Sequence, residues 1–406
     1  MRVRPISSLD LADEAFVADP YPAFERARSQ HPIAWHEDSQ MWLVCTHQEC
    51  RATLRDRRLG RIWSDREPAE RFEPFNLLHR NQMMENEPPQ HTRLRRTVST
   101  AFARGHIERM RPRVKVLAMH LLEQISAEEF DVLSDFAEPL PVMVIAELLG
   151  TPSSDVSTLR AWSQSIVRMY ERPAPADEIQ QAALDASSAF ADYMRNLIAA
   201  RRRDLRDDLL SDLLRAQGGD GDAPLTDDEV LASAILLLNA GHEASVNVFG
   251  NGLVALLNCP DQWQRVVGAE VAMEVAIEEM LRFDSALQLF ERTATADVEI
   301  AGQRVAAGER VAVLLGSANR DEAVFEAAGQ LDVGREPNPH LAFGAGLHFC
   351  LGAPLARMEL AESLRLISST YPDLRLRREP LRRATFVLRG YVDVSVTSEV
   401  KVEPNA

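Results

Sequence analysis

Thr226 and Glu229 stand in the Thr-x-x-Glu spacing of a capping box, which opens a helix. From there apolar character continues to Asn258, where Cys259-Pro260 ends it. At ~1.5 Å per residue the span is roughly 50 Å, enough to cross a globular molecule from side to side. The stretch is apolar nearly all round, so other elements must enclose it. A chain holding such a helix is expected to be mainly α. Within it lies "NAGHEASVN", where polar Glu243 and Ser245 follow Gly241. A polar kink halfway along an enclosed helix needs a reason beyond packing.

The remaining pattern agrees with a helical body. The 3.6-residue period predicts helices near 91–103, 106–125, 139–149, 154–170, 177–203, 261–267, 269–283 and 353–371. "IAWHED" and "MWLVCT" read as a hairpin around Asp38-Ser39, and Thr46 with Glu49 as a second capping box. Residues near 60–90 read as irregular. "FERTAT", "VEIAG" and "QRVAAGERVAVLL" are short strands, and the C-terminus returns to strands. The expected fold is mainly α with a small segregated β portion. The Pro- and Gly-bearing stretches Glu171–Glu178 and Gly218–Asp228 are loop-sized, so residues 1–406 read as a single domain.

Composition excludes several classes. No run approaches ~20 apolar residues, and the N-terminus lacks the apolar region of a secretory signal, so no membrane is expected. Cys45, Cys50, Cys259 and Cys350 are scattered without a C-x-x-C pair, against a zinc ribbon or a disulfide framework and for the cytoplasm. The net charge of −16 argues against nucleic acid. One region opposes it: Arg93, Arg95, Arg96, Arg104, Arg109, Arg111, Arg113 and Lys115 face a single acid, Glu108. That run is either a solvated face or a docking site for an acidic partner.

Cys350 sits in "HLAFGAGLHFCLG", directly before a helix. The glycines let the backbone approach a flat object and leave N–H groups free to meet one acceptor. The helix start favours a thiolate, and Phe349 and Leu351 keep water away. A dry thiolate open on one side suits a metal in a planar cofactor. A buried structural cysteine and a nucleophile activated by His348 are the alternatives.

The ordered pattern Phe343, Gly344, Gly346, His348, Cys350, Gly352 resembles the haem-binding loop of the cytochrome P450 family, as found in soluble bacterial members that tailor macrolides and other polyketides. "PPQHTRLRR" is similar to the family's haem-edge helix, and Glu279 with Arg282 matches its E-x-x-R motif, completed by Arg335. The resemblance implies haem b, iron protoporphyrin IX, ligated by Cys350, with Phe343 and Gly344 in the haem loop. Buried propionates need donors, and His91, Arg95, Arg292 and His348 suit that need. Glu279, Arg282 and Arg335 are assigned to structure.

A thiolate ligand pushes electron density onto iron and favours O–O cleavage, so the resemblance implies a mono-oxygenase using O2. The family's mid-helix motif, A-G-x-(D/E)-T, is met by Ala240, Gly241, His242 and Glu243, but Ala244 replaces the threonine. Ser245 lies about 100° further round and is no simple substitute. Glu243, Ala244 and Ser245 are therefore the catalytic positions to watch. Ala240, Ala244, Leu287, Gln288, Val387 and Leu388 fall where substrate contacts are expected, with the 60–84 segment completing the pocket. The implied reaction is hydroxylation or epoxidation of a bulky secondary metabolite such as a macrolide or other polyketide. Electrons would come from a small acidic ferredoxin and its reductase, neither of them fused here. A phenol-coupling or peroxide-driven haem-thiolate catalyst and a non-catalytic haem-binding protein are the competing readings.

Overall fold

The long helix forms as Asp227–Leu257, and both halves of its capping box are made. Glu229 N donates to Thr226 Oγ1 at 3.2 Å, and Thr226 N donates to Glu229 Oε2 at 2.9 Å. The helix runs without a break through Gly241–Ser245. The computed structural model describes residues 9–99, 102, 104–126, 128–171, 175–217 and 224–403.

Helices Pro139–Leu149, Val156–Val167, Asp177–Arg203 and Met273–Phe283 pack against this axis. A glycine permits one of these crossings: a β-carbon at Gly252 would come within 2.4 Å of Met280. One hydrophobic cluster joins residues from Phe72 to Val396 through this bundle. Behind the cysteine, Ala353–Thr370 packs on Arg104–Gln124 and Met273–Phe283. The architecture is mainly α, as expected.

The β portion stands apart. Its main sheet orders Ile33–His36, Met41–Val44, Arg310–Leu314, Leu289–Ala294 and Leu59–Gly60. The predicted hairpin is its edge, with Trp35 opposite Trp42. Glu129–Asp131, Ser395–Thr397 and Arg375–Leu376 make a second sheet, and Val298–Ile300 pairs with Gln303–Val305.

Two expectations are corrected. Residues 60–90 are not all irregular: Ala69–Arg80 is a helix that buries Phe72, Phe75, Leu78 and His79 on one face, and Pro74 inside it disguises the pattern. Thr46 precedes helix His47–Arg55 but makes no side-chain cap; at this helix start Asp321 Oδ2 accepts the His47 N–H at 2.8 Å. Among the described residues no helix is long and apolar enough to cross a membrane.

Candidate active site

The cysteine loop is held by its backbone. Gly344 and Gly346 adopt φ of 68° and 74°, and a β-carbon at Gly346 would come within 2.3 Å of the Leu54 carbonyl oxygen. Cys350 N donates to Phe343 O at 2.9 Å, which closes the loop. The backbone N–H groups of Gly352 and Ala353 point at the Cys350 sulfur. Burial raises the Cys350 thiol above its ordinary value, while these N–H groups and the Arg95 guanidinium pull it down. Burial wins, so the loop alone does not make a thiolate; a coordinated metal would. Phe343 lies under the Arg357 guanidinium, 4.5 Å from its ring centre.

The middle of the long helix is accessible on one side. Between Val230 and Val254 its residues are buried except Ala240, which is exposed, and Gly241 and Ala244, which are half-buried. Ala240 and Ala244 are one turn apart on one face, so an accessible strip interrupts the otherwise buried middle of the helix.

A cationic rim lies beside the cysteine loop. Arg95 Nη2 donates to Phe349 O at 2.7 Å. His91 is buried, neither ring nitrogen has a partner, and burial with His348 and Arg95 nearby lowers it to about 4. Its ring lies 4.6 Å from that of His348, whose Nε2 meets Glu87 Oε1 at 2.8 Å. Arg292 is 3% exposed, and burial together with the charge of Arg61 lowers it to about 9. It donates to the Glu291 carbonyl oxygen at 2.8 Å, and no carboxylate among the described residues forms an ion pair with it. His91, buried without a hydrogen-bond partner, and Arg292, buried without an ion pair among the described residues, are groups that an anion would satisfy. With the sulfur and its N–H donors at the same loop, these residues fit haem, a flat metal complex with two carboxylates. The structure thus brings together the rim residues expected from the sequence. Sequence reading missed Glu87; the only signal was its place directly before Pro88-Pro89 and the His91 helix.

Glu243 also has a partner that sequence reading missed. Arg383, from the C-terminal segment, places Nη1 3.1 Å from Glu243 Oε2, and its Nη2 lies 3.6 Å from Glu138 Oε1. Burial raises the Glu243 carboxyl and Arg383 opposes it. Ser245 is buried on the neighbouring face. His242 is fully buried, and burial holds it near 3, so its ring stays neutral.

The four outer contact candidates divide. Leu287 and Leu388 pair as an antiparallel bridge, and both are half-buried. Gln288 is completely buried, with its Nε2 2.6 Å from Ser285 O, and a β-carbon at Gly316 would collide with its amide. Val387 packs with Phe16, Phe24 and Phe386. Gln288 and Val387 are buried, where Leu287 and Leu388 are half-buried. In the 60–84 segment, His79 Nε2 meets Tyr170 Oη at 2.9 Å and Arg66 Nη2 donates to Met169 O at 2.8 Å.

Within the structural triad Glu279 and Arg282 are fully buried and Arg335 is half-buried. Arg282 donates to both Glu279 oxygens at 2.7 Å, and Arg335 Nε lies 3.2 Å from Glu279 Oε2. The basic run is less bare than its sequence. Arg93 pairs with Glu229, Arg111 with Glu108 and Glu362, and Arg113 with Glu147. Arg96 is exposed, and the Arg104 side chain lies outside the described residues.

The family model for Cytochrome P450 matches residues 39–370. The cytochrome P450 monooxygenase PikC of Streptomyces venezuelae is 36% identical over 93% of this chain and 89% of its own length. The polyketide biosynthesis cytochrome P450 PksS of Bacillus subtilis (strain 168) is 32% identical over 94% of this chain and 96% of its own. Among solved structures, P450BioI in complex with hexadec-9Z-enoic acid ligated acyl carrier protein superposes with a TM-score of 0.90. That likeness covers 95% of this chain and all of the other, at 32% identity. The chain belongs to the cytochrome P450 family and is a haem b mono-oxygenase.

Proposed function

We propose that this mono-oxygenase hydroxylates or epoxidises a bulky, hydroxyl-bearing secondary metabolite of the macrolide or polyketide class, in the cytoplasm, as a single domain. The observation that carries the reading is the strip Ala240–Ala244. Ala240 and Ala244 present methyl groups and no hydroxyl on the accessible side of the helix, beside a carboxyl held by Arg383. The polyketide role of the relative PksS supports the substrate class. The unbridged cysteines suit a reducing compartment, and the hydrophobic cluster from Phe72 to Val396 suits one domain.

In this reading Cys350 ligates the haem, and His91, Arg95, Arg292 and His348 receive its propionates. Haem b with a thiolate ligand supplies O2 activation and oxygen insertion into a C–H or C=C bond. Glu243 holds the proton that this chemistry consumes, and burial keeps its carboxyl a better proton carrier than an exposed one. Arg383 orients Oε2. Ala244 offers no hydroxyl, so a substrate hydroxyl resting beside it passes the proton on, pre-positioned by binding. Leu287 and Leu388 form part of the apolar wall that seats the substrate and excludes water.

A panel of hydroxylated polyketides, screened by shift of the haem absorption band, identifies a binder. Product formed per NADPH consumed is then compared between that substrate and its analogue lacking the hydroxyl nearest Ala244. Coupling is expected to collapse for the analogue, while Ser245→Ala stays near wild type with the full substrate. A well-coupled analogue together with an uncoupled Ser245→Ala would make Ser245 the relay instead.

Electrons are proposed to come from an acidic ferredoxin and its reductase, docking on the face of the Arg93–Lys115 run. Since Arg93, Arg111 and Arg113 are internally paired, Arg96 is the better test position than Arg113. Arg96→Glu should slow association with a surrogate ferredoxin, and added salt should slow the wild type. Salt-independent reduction would return the run to a solvated face.

A further inference from the structure

We propose that Arg61 is a fifth rim residue of the cofactor site, donating from its Nε edge to a haem propionate. The inference rests on the reading that the rim receives the propionates. Arg61 follows the strand Leu59–Gly60, and its backbone N–H donates to Glu87 Oε1 at 2.7 Å. The same oxygen meets His348 at 2.8 Å, so this point of the chain is tethered to the cysteine loop. The Arg61 guanidinium lies 4.7 Å from the centre of the Phe290 ring, and that of Arg292 lies 5.0 Å from the same centre. Two cations on one ring repel unless anions answer both. Glu85 pairs with Nη2 of Arg61, but Arg61 Nε is enclosed and meets no acceptor. No carboxylate among the described residues pairs with Arg292. A guanidinium presents its donors as a fork, so a second anion could bind the Nε edge while Glu85 keeps the other. Haem brings two carboxylates to this rim, and the Nε edge of Arg61 is an enclosed donor still without one.

The test is the rate at which holoprotein loses haem to excess apomyoglobin. It is measured with haem b and with haem dimethyl ester, whose esterified propionates cannot form an ionic bond. With haem b, Arg61→Gln is expected to release haem about tenfold faster than wild type, the effect of losing one charge-assisted hydrogen bond. Glu85→Gln frees the guanidinium and should not speed release. With the ester, wild type and Arg61→Gln should release at the same rate. Should Arg61→Gln fail to take up haem, Arg61→Lys keeps the charge but loses the fork, and gives the same comparison. Equal acceleration by Arg61→Gln and Glu85→Gln would overturn the proposal, leaving a structural ion pair. So would an Arg61→Gln effect that persists with the ester. If wild type releases both haems equally fast, the rim does not hold propionates, and the parent reading fails instead.

Discussion

Glu279→Ala is expected to lose about 3–5 kcal/mol of folding stability, the cost of leaving buried charge unpaired. Arg282, 0% exposed, would keep its hydrogen bonds to the carbonyls of Asn319 and Ala328 but lose its one carboxylate partner among the described residues. Arg335 would lose the same partner. The carboxylate also accepts from Asp332 N at 2.9 Å and Asn338 Nδ2 at 3.2 Å, so the segment leading to the cysteine loop is anchored on it too. Domains have only about 5–15 kcal/mol in total, so much of the variant should be unfolded or aggregated on expression. Glu279→Gln keeps the shape and should fall between wild type and Glu279→Ala, since the amide is uncharged and turns its NH2 donor toward guanidinium donors. Urea denaturation checks this, and a wild-type midpoint for Glu279→Ala would show that the triad does not hold the loop.

Cys350→Ser is expected to keep the fold and lose all mono-oxygenase turnover. The loop is set by Gly344 and Gly346 in left-handed conformations and by the Cys350 N to Phe343 O bond, none of which needs sulfur. A serine oxygen can also accept from the Gly352 and Ala353 N–H groups. It cannot supply the soft, electron-rich ligand on which oxygen activation in this family depends. Cys45 and Cys50 are buried in the sheet region and their thiols are raised by burial, so serine there should cost some stability and leave turnover intact. Product formation and the denaturation midpoint, measured together for each variant, separate ligand loss from unfolding.

The long helix was legible because its cap, its composition and its stop lie within one continuous stretch. The cysteine loop was legible because six residues of four types stand in one short ordered pattern, and the triad because its arginines stand at fixed places around that loop. What escaped depended on pairing across the fold. Gln288 and Val387 are buried where Leu287 and Leu388 are half-buried, a difference that local composition does not show. Glu229, Glu147 and Glu362 neutralise the basic run from far along the chain, and Arg383 reaches Glu243 from 140 residues away. Pro74 concealed a helix whose buried face is otherwise regular.

The account stands on a haem held by Cys350, and one spectrum tests that most directly. The reduced wild-type protein is exposed to carbon monoxide, and the position of its Soret band is recorded beside that of Cys350→Ser. A thiolate ligand predicts the strongly red-shifted band characteristic of the family in the wild type, and its disappearance in the variant. An unshifted band in the wild type, like that of a histidine-ligated haem, or a red-shifted band that survives in Cys350→Ser, would contradict it.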